Sequence, residues 1–128
     1  DTKSSILIIN SIGKTSVLYE STEAAFVGGS LVERGGHNII EPAFFACPII
    51  IGPHMFNFES IAEEFINNDS CRVVYDSKSL ANEFIHLLAN KDEALNMIEA
   101  ASKILDRNSG ASDRQLSVIM DFLEGANE

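Results

Sequence analysis

Apolar runs long enough to cross a bilayer are missing from this 128-residue chain. A span takes about 20 apolar residues, and runs such as Pro48 to Ile51 fall far short. No basic n-region followed by an apolar h-region is present, so no signal peptide is expected. The sequon Asn68-Asp69-Ser70 therefore carries no meaning as a glycosylation site. The chain does not open with Met but with Asp1-Thr2-Lys3-Ser4-Ser5, and it reads as a piece of a longer protein. Basic residues are scarce, 9 Lys and Arg against 19 acids, and the net charge of −10 argues against a nucleic-acid backbone as main partner. Cysteine is scarce too. Cys47 and Cys71 sit in apolar surroundings without CxxC spacing, which argues against zinc or redox chemistry and for two buried, reduced thiols. Neither a Walker motif nor GxGxxG occurs.

What is present is an ordinary globular composition, 45% hydrophobic and 22% charged, at a length that suits one domain. The charge is uneven. Residues 1–58 hold five acids and three bases, leaving fourteen acids and six bases for the rest. The first, glycine-rich half is the less repulsive one for an anionic ligand.

Apolar β-branched runs alternate with helical periods. Ser5 to Ile9 has the composition of a strand buried on both faces. A turn over Asn10 to Gly13 leads to a short helix from Thr15 to Ser21. Further strands are expected at Ala24–Val27, Pro48–Ile51 and Arg72–Tyr75. Asn38 is placed to cap a helix running from Ile39 to about Phe45. Phe58, Ile61, Ala62, Phe65 and Ile66 share one helix face. Asp76 or Ser77 caps a helix with Leu80, Phe84, Leu87 and Leu88. Ala94, Met97, Ile98, Ala101 and Leu105 mark the next, and Leu116, Ile119, Met120 and Leu123 a last one. This order implies βαβ units: an α/β fold with a Rossmann-like parallel sheet flanked by helices. Ligands of such sheets bind beyond the carboxyl ends of the strands. The turns at Asn10–Gly13, Gly28–Ser30 and Gly52-Pro53-His54 follow three expected strands and would meet on one rim.

The chemistry concentrates between Phe26 and Phe45. Gly28-Gly29-Ser30 follows a strand, where glycine allows close backbone approach and N–H groups can cradle an anion. A second pair, Gly35-Gly36, precedes His37-Asn38 at a helix start, a place suited to phosphate. Glu41 admits two readings: the far member of a capping box with Asn38, or an acceptor for ribose hydroxyls. Pro42 falls in the first turn, where its missing N–H costs little. His37 suits a general base, a metal ligand or a loop hydrogen bond; His54 is its one companion, and no spacing supports a His37/Glu41/His54 metal site. His86 lies in a helical pattern and reads as structural.

Together these motifs closely resemble the donor-side domain of the bacterial 3-deoxy-D-manno-octulosonic acid (Kdo) transferases. The pattern is GGSLV, one variable residue, RGGHN, then EPA, GPH and FNF. It appears as Gly28–Val32, Arg34–Asn38, Glu41-Pro42-Ala43, Gly52-Pro53-His54 and Phe56-Asn57-Phe58. The likeness runs from about Ile6 to Val74. It departs at Asn10-Ser11-Ile12-Gly13-Lys14-Thr15, where the family has an Asp-Thr-Met-Gly-Glu-Leu-like segment. Gly13 is kept, but Asn10 and Lys14 replace acids. Either a family contact is altered here, or Lys14 meets a phosphate or carboxylate instead.

The resemblance implies the C-terminal half, over residues 1–128, of a two-domain GT-B glycosyltransferase. The whole enzyme would transfer Kdo from CMP-Kdo to a lipid A precursor in lipopolysaccharide biosynthesis, at the cytoplasmic face of the inner membrane. Catalytic base, acceptor site and membrane contact are expected on an N-terminal domain outside this chain, leaving a soluble piece with no catalytic residue, cofactor or metal of its own. The implied donor-binding set is Gly13, Gly28, Gly29, Ser30, Arg34, Gly35, Gly36, His37, Asn38 and Glu41, with His54 and Asn57 on the rim. Two alternatives are another GT-B transferase using a UDP-sugar and a non-catalytic nucleotide-binding or interaction domain.

Overall fold

A computed structural model describes residues 5–11, 13–111, 121–122 and 124–125. Its centre is a parallel sheet of three strands in the order β1-β2-β3: β1 (Ala25–Phe26), β2 (Ile49–Ile51) and β3 (Arg72–Val73). Ala25 pairs with Ile49, and Ile50 with Arg72. Among the described residues it is accompanied by α1 (Thr15–Tyr19), α2 (Ile40–Phe44), α3 (Glu59–Asn67), α4 (Ser77–Ala89) and α5 (Lys91–Ala111). A 3₁₀ turn over Phe56–Phe58 leads into α3.

The middle strand explains the layering. Successive side chains of a strand point to opposite faces, and all three isoleucines of β2 are fully buried. Ile49 and Ile51 join Val27, Ile39, Ala43, Phe65, Ala101 and Ile104 on one face. Ile50 joins Val74, Leu87, Ala94 and Met97 on the other. Helices thus cover both faces, as a parallel sheet requires, and α5 serves both cores with different residues. On α5 Met97 and Ile104 are fully buried, where the periodicity points to Leu105, which is only packed against the core. Cys47 and Cys71 are buried and free, and burial pushes their thiols up to about 11 and about 12.

Two expectations need correction. Residues 5–9 form no strand: Ile6, Leu7 and Ile8 are 75%, 81% and 86% exposed. An apolar β-branched run becomes a buried strand only where a sheet edge and covering helices enclose it, and the side chains of Ile6 to Ile8 stay exposed here. The rim is therefore built by two glycine-bearing strand exits, after β1 and β2, rather than three. The strand at 72–75 is cut to two residues, because Tyr75 is already exposed and Asp76 takes up the cap of α4. Of the expected last helix, the marker residues Leu116, Ile119, Met120 and Leu123 lie outside the described residues, while residues 121–122 and 124–125 are helical.

Candidate functional site

The exits of β1 and β2 are tied to each other by Ser30. Its hydroxyl donates to the Val27 carbonyl at 2.5 Å and accepts the Gly52 N–H at 2.8 Å, while its carbonyl accepts the His54 N–H at 2.9 Å. Ser30 is fully buried. Its side chain and carbonyl form the brace that fixes the Gly52-Pro53-His54 turn against the Gly28-Gly29 turn.

The second glycine pair lies across the first. The Gly36 N–H donates to the Gly29 carbonyl and the His37 N–H to the Gly28 carbonyl, both at 3.0 Å. The exposed His37 ring consequently lies over the Gly28-Gly29 backbone, with its Cδ2 3.4 Å from the place a Gly28 Cβ would occupy. Gly35 and Gly36 are both buried and both left-handed, with φ of +88° and +74°. Two consecutive residues there are strongly disfavoured for any side chain but glycine. The Met55 sulfur and the Phe56 ring also occupy the space that Cβ atoms at Gly36 and Gly35 would need. Asn57 closes the far side: its N–H donates to Gly35, and its amide nitrogen to the carbonyls of Arg34, at 3.0 Å, and Gly36, at 3.3 Å. The Arg34 side chain is exposed at the edge.

The chain next enters α2. The cap position belongs to Ile39 rather than Asn38, and the helix runs only from Ile40 to Phe44. Asn38 still serves the helix start, its Oδ1 accepting the Ile40 N–H at 2.9 Å. A five-residue helix sums few peptide dipoles, so the start of α2 contributes little positive potential. Half-buried Glu41 does not close a capping box with Asn38. One carboxylate oxygen accepts the Thr15 hydroxyl at 2.9 Å, across 26 residues. Its charge is felt by Tyr19, whose phenol is pushed above its ordinary value first by burial and then by this carboxylate. Thr15 follows left-handed Gly13 (φ +83°) and exposed Lys14 in the chain.

Of the expected donor residues, Gly28, Gly29, Gly36 and His37 are cross-tied through their backbones, Asn57 holds Arg34, Gly35 and Gly36, the His54 N–H is bonded to Ser30, and Glu41 is bonded to Thr15. Thr15 and Met55 are participants that sequence reasoning missed, since neither belongs to a recognisable chemical pattern. His86 lies apart, exposed, with its Nε2 2.5 Å from Glu93. Among the described residues no group of three or more His, Cys, Asp or Glu side chains is arranged to hold a metal ion. An open groove of about 520 Å³ beside α5 contains Lys103 and Arg107, but these cations are paired with Glu99 and Glu64.

No protein-family model matches the chain. It is 32% identical over 120 residues to the 3-deoxy-D-manno-octulosonic acid transferase of Haemophilus influenzae, covering 93% of this chain. It is 31% identical over 118 residues to the enzyme of the same name from Bordetella pertussis. The chain spans only about 28% of the length of either relative. The crystal structure of the C-terminal CMP-Kdo binding domain of WaaA from Acinetobacter baumannii superposes with a TM-score of 0.73 at 34% identity, over 76% of this chain and 51% of that one. The likeness first seen in the motifs extends through sequence and tertiary structure: this chain is a homologue of part of the Kdo transferases, with the fold of the C-terminal domain of one of them.

Proposed function

We propose that this chain is the donor-holding domain of a Kdo transferase and that its glycine rim binds the CMP moiety of CMP-Kdo. The carrying observation is the cross-tied pair of glycine turns, Gly36 on Gly29 and His37 on Gly28, ending at Glu41. Backbone without Cβ atoms lets a phosphate approach closely. His37 stands over that backbone as a further phosphate or sugar contact, with Arg34, Asn38 and His54 at the margins. Glu41 accepts from the ribose hydroxyls, a charge-assisted contact. The CMP-Kdo binding of the Acinetobacter domain, similar in sequence and fold, supports the same ligand.

An inverting transfer needs a base beside the acceptor hydroxyl and stabilisation of the departing phosphate. This rim suits the second task. The base, the lipid A precursor and the membrane contact at the cytoplasmic face of the inner membrane belong to an N-terminal domain, completing a GT-B enzyme of lipopolysaccharide synthesis. No metal or cofactor takes part in this scheme.

Calorimetric titration with CMP, UMP and AMP tests the reading. CMP is expected to bind tightest, with amide shifts clustered at Gly28–Ser30 and Gly35–Glu41. Equal affinities, or shifts centred on α4 and α5, would refute it.

A further inference from the structure

Asn57 follows a different logic from its neighbours on the rim. Its side chain is exposed, yet the amide nitrogen is directed at the protein rather than outward: it donates to the Arg34 carbonyl at 3.0 Å and the Gly36 carbonyl at 3.3 Å. The Asn57 N–H donates to the carbonyl lying between these two in sequence, that of Gly35. One residue therefore engages three successive carbonyls of the loop that carries both left-handed glycines. On its other side the same loop is held by the Gly29 and Gly28 carbonyls through the N–H groups of Gly36 and His37.

We infer that Asn57 is a positioning residue for the donor site: by gripping the Arg34 and Gly36 carbonyls it holds Gly35-Gly36 left-handed before any nucleotide arrives, and so sets the His37 ring over the Gly28-Gly29 turn. The physical need is specific. Glycine visits both signs of φ about equally, so two consecutive glycines leave this loop the widest choice of conformations in the unliganded protein. A loop that samples many conformations binds more weakly by the fraction of time it is competent. Asparagine suits the task because its amide nitrogen carries two donors, one for each carbonyl. Aspartate, of the same shape, has only acceptors and would face those carbonyls with negative charge. The 3₁₀ turn over Phe56–Phe58 keeps the grip stiff, since the Phe58 N–H returns to Met55 and the Met55 sulfur packs on Gly36.

The inference rests on the nucleotide-binding reading for its consequence but not for its mechanism, and the test separates the two. Amide hydrogen exchange is first measured on the unliganded chain and on Asn57→Ala. The Gly36 and His37 amides should exchange faster in the variant, by roughly tenfold for one lost grip, while those of β2 keep their rates. Unchanged rates at Gly36 and His37 would overturn the inference, whatever the chain binds. CMP and cytidine are then titrated into the chain, Asn57→Ala and Asn57→Asp, at a temperature where all are folded. Positioning predicts that Asn57→Ala weakens CMP and cytidine alike, roughly tenfold, and Asn57→Asp more so. If Asn57→Ala lowers the melting temperature but leaves both affinities intact, the residue is structural only and the inference fails. If Asn57→Asp weakens CMP alone while Asn57→Ala weakens nothing, the effect is charge repulsion of the phosphate, and the inference fails again. Should the unsubstituted chain bind neither ligand, the nucleotide reading falls, and the exchange rates still decide the grip.

Discussion

Glu41 shows how one side chain can serve two masters without conflict. One oxygen is engaged by Thr15, while a carboxylate offers about four acceptor positions. Replacing it with Gln keeps an acceptor for Thr15 and removes the charge. Glu41→Gln is therefore expected to weaken CMP roughly tenfold, the scale of a charge-assisted hydrogen bond. Affinity for pyrophosphate, which has no ribose, should hold. A lower melting temperature with unchanged CMP affinity would instead assign Glu41 to the fold alone. At this scale the glycines were the legible part, because their backbone freedom is a property of the residue itself. Positive φ at Gly13, Gly29, Gly35 and Gly36 is the outcome that such freedom permits. The Thr15 and Met55 contacts were not legible. A threonine or a methionine has no chemistry that names its partner in advance.

Among the elements, α4 illustrates a signal read correctly from neighbours in sequence. Asp76 caps it: the Ser79 N–H donates to the Asp76 carboxylate at 2.7 Å, and the Ser79 hydroxyl accepts the Asp76 N–H at 3.1 Å. The backbone N–H of Ser79 is the chief reason that the Asp76 carboxyl sits below its ordinary value. Glu93 on α5 is lowered as well, first by Arg72 of β3 and then by His86 of α4. Carboxylates with depressed pKa in the folded state stabilise it above the unfolded value, and the contribution disappears as pH falls through the lowered one. Thermal stability is thus expected to be flat with respect to these groups above about pH 5 and to decline below about pH 4. Asp76→Ala and Glu93→Gln should each lower the melting temperature at neutral pH and flatten its decline in acid. Melting curves from pH 3 to 7 check this, and an undiminished acid slope in both variants would remove these carboxylates from the explanation. By contrast α2 was misjudged at its start. Asn38 has the right residue type for a cap, but backbone conformation places Ile39 there.

For the molecule as a whole, the chain covers about 28% of the length of the Haemophilus relative, and the proposed role of its rim is to hold the donor. A general base must lie within hydrogen-bond reach of the acceptor hydroxyl, and in the proposed enzyme that hydroxyl approaches from the opposite domain. This chain alone is expected to show no transfer from CMP-Kdo to a lipid A precursor, and joining it to an N-terminal half of a Kdo transferase is expected to restore transfer. Product analysis by mass spectrometry decides the matter. Turnover by the isolated chain, abolished in His37→Ala, would locate the base here instead.

The layout of the fold was largely determined by local sequence: alternating apolar runs and helical periods specify a parallel sheet between helices, and motif spacing places two glycine turns at strand exits. These features depend on residue type and on neighbours a few positions away. Tertiary structure alone decided which side chains are taken up by the fold and which stay exposed at the rim. Ser30 and Gly52 meet across 22 residues, and Thr15 and Glu41 across 26. The burial that turns Ser30 into a brace, and the exposure that leaves Ile6 to Ile8 without strand structure, exist only once distant segments have packed. Sequence records what each residue favours under cover, but the cover itself is made by the rest of the molecule.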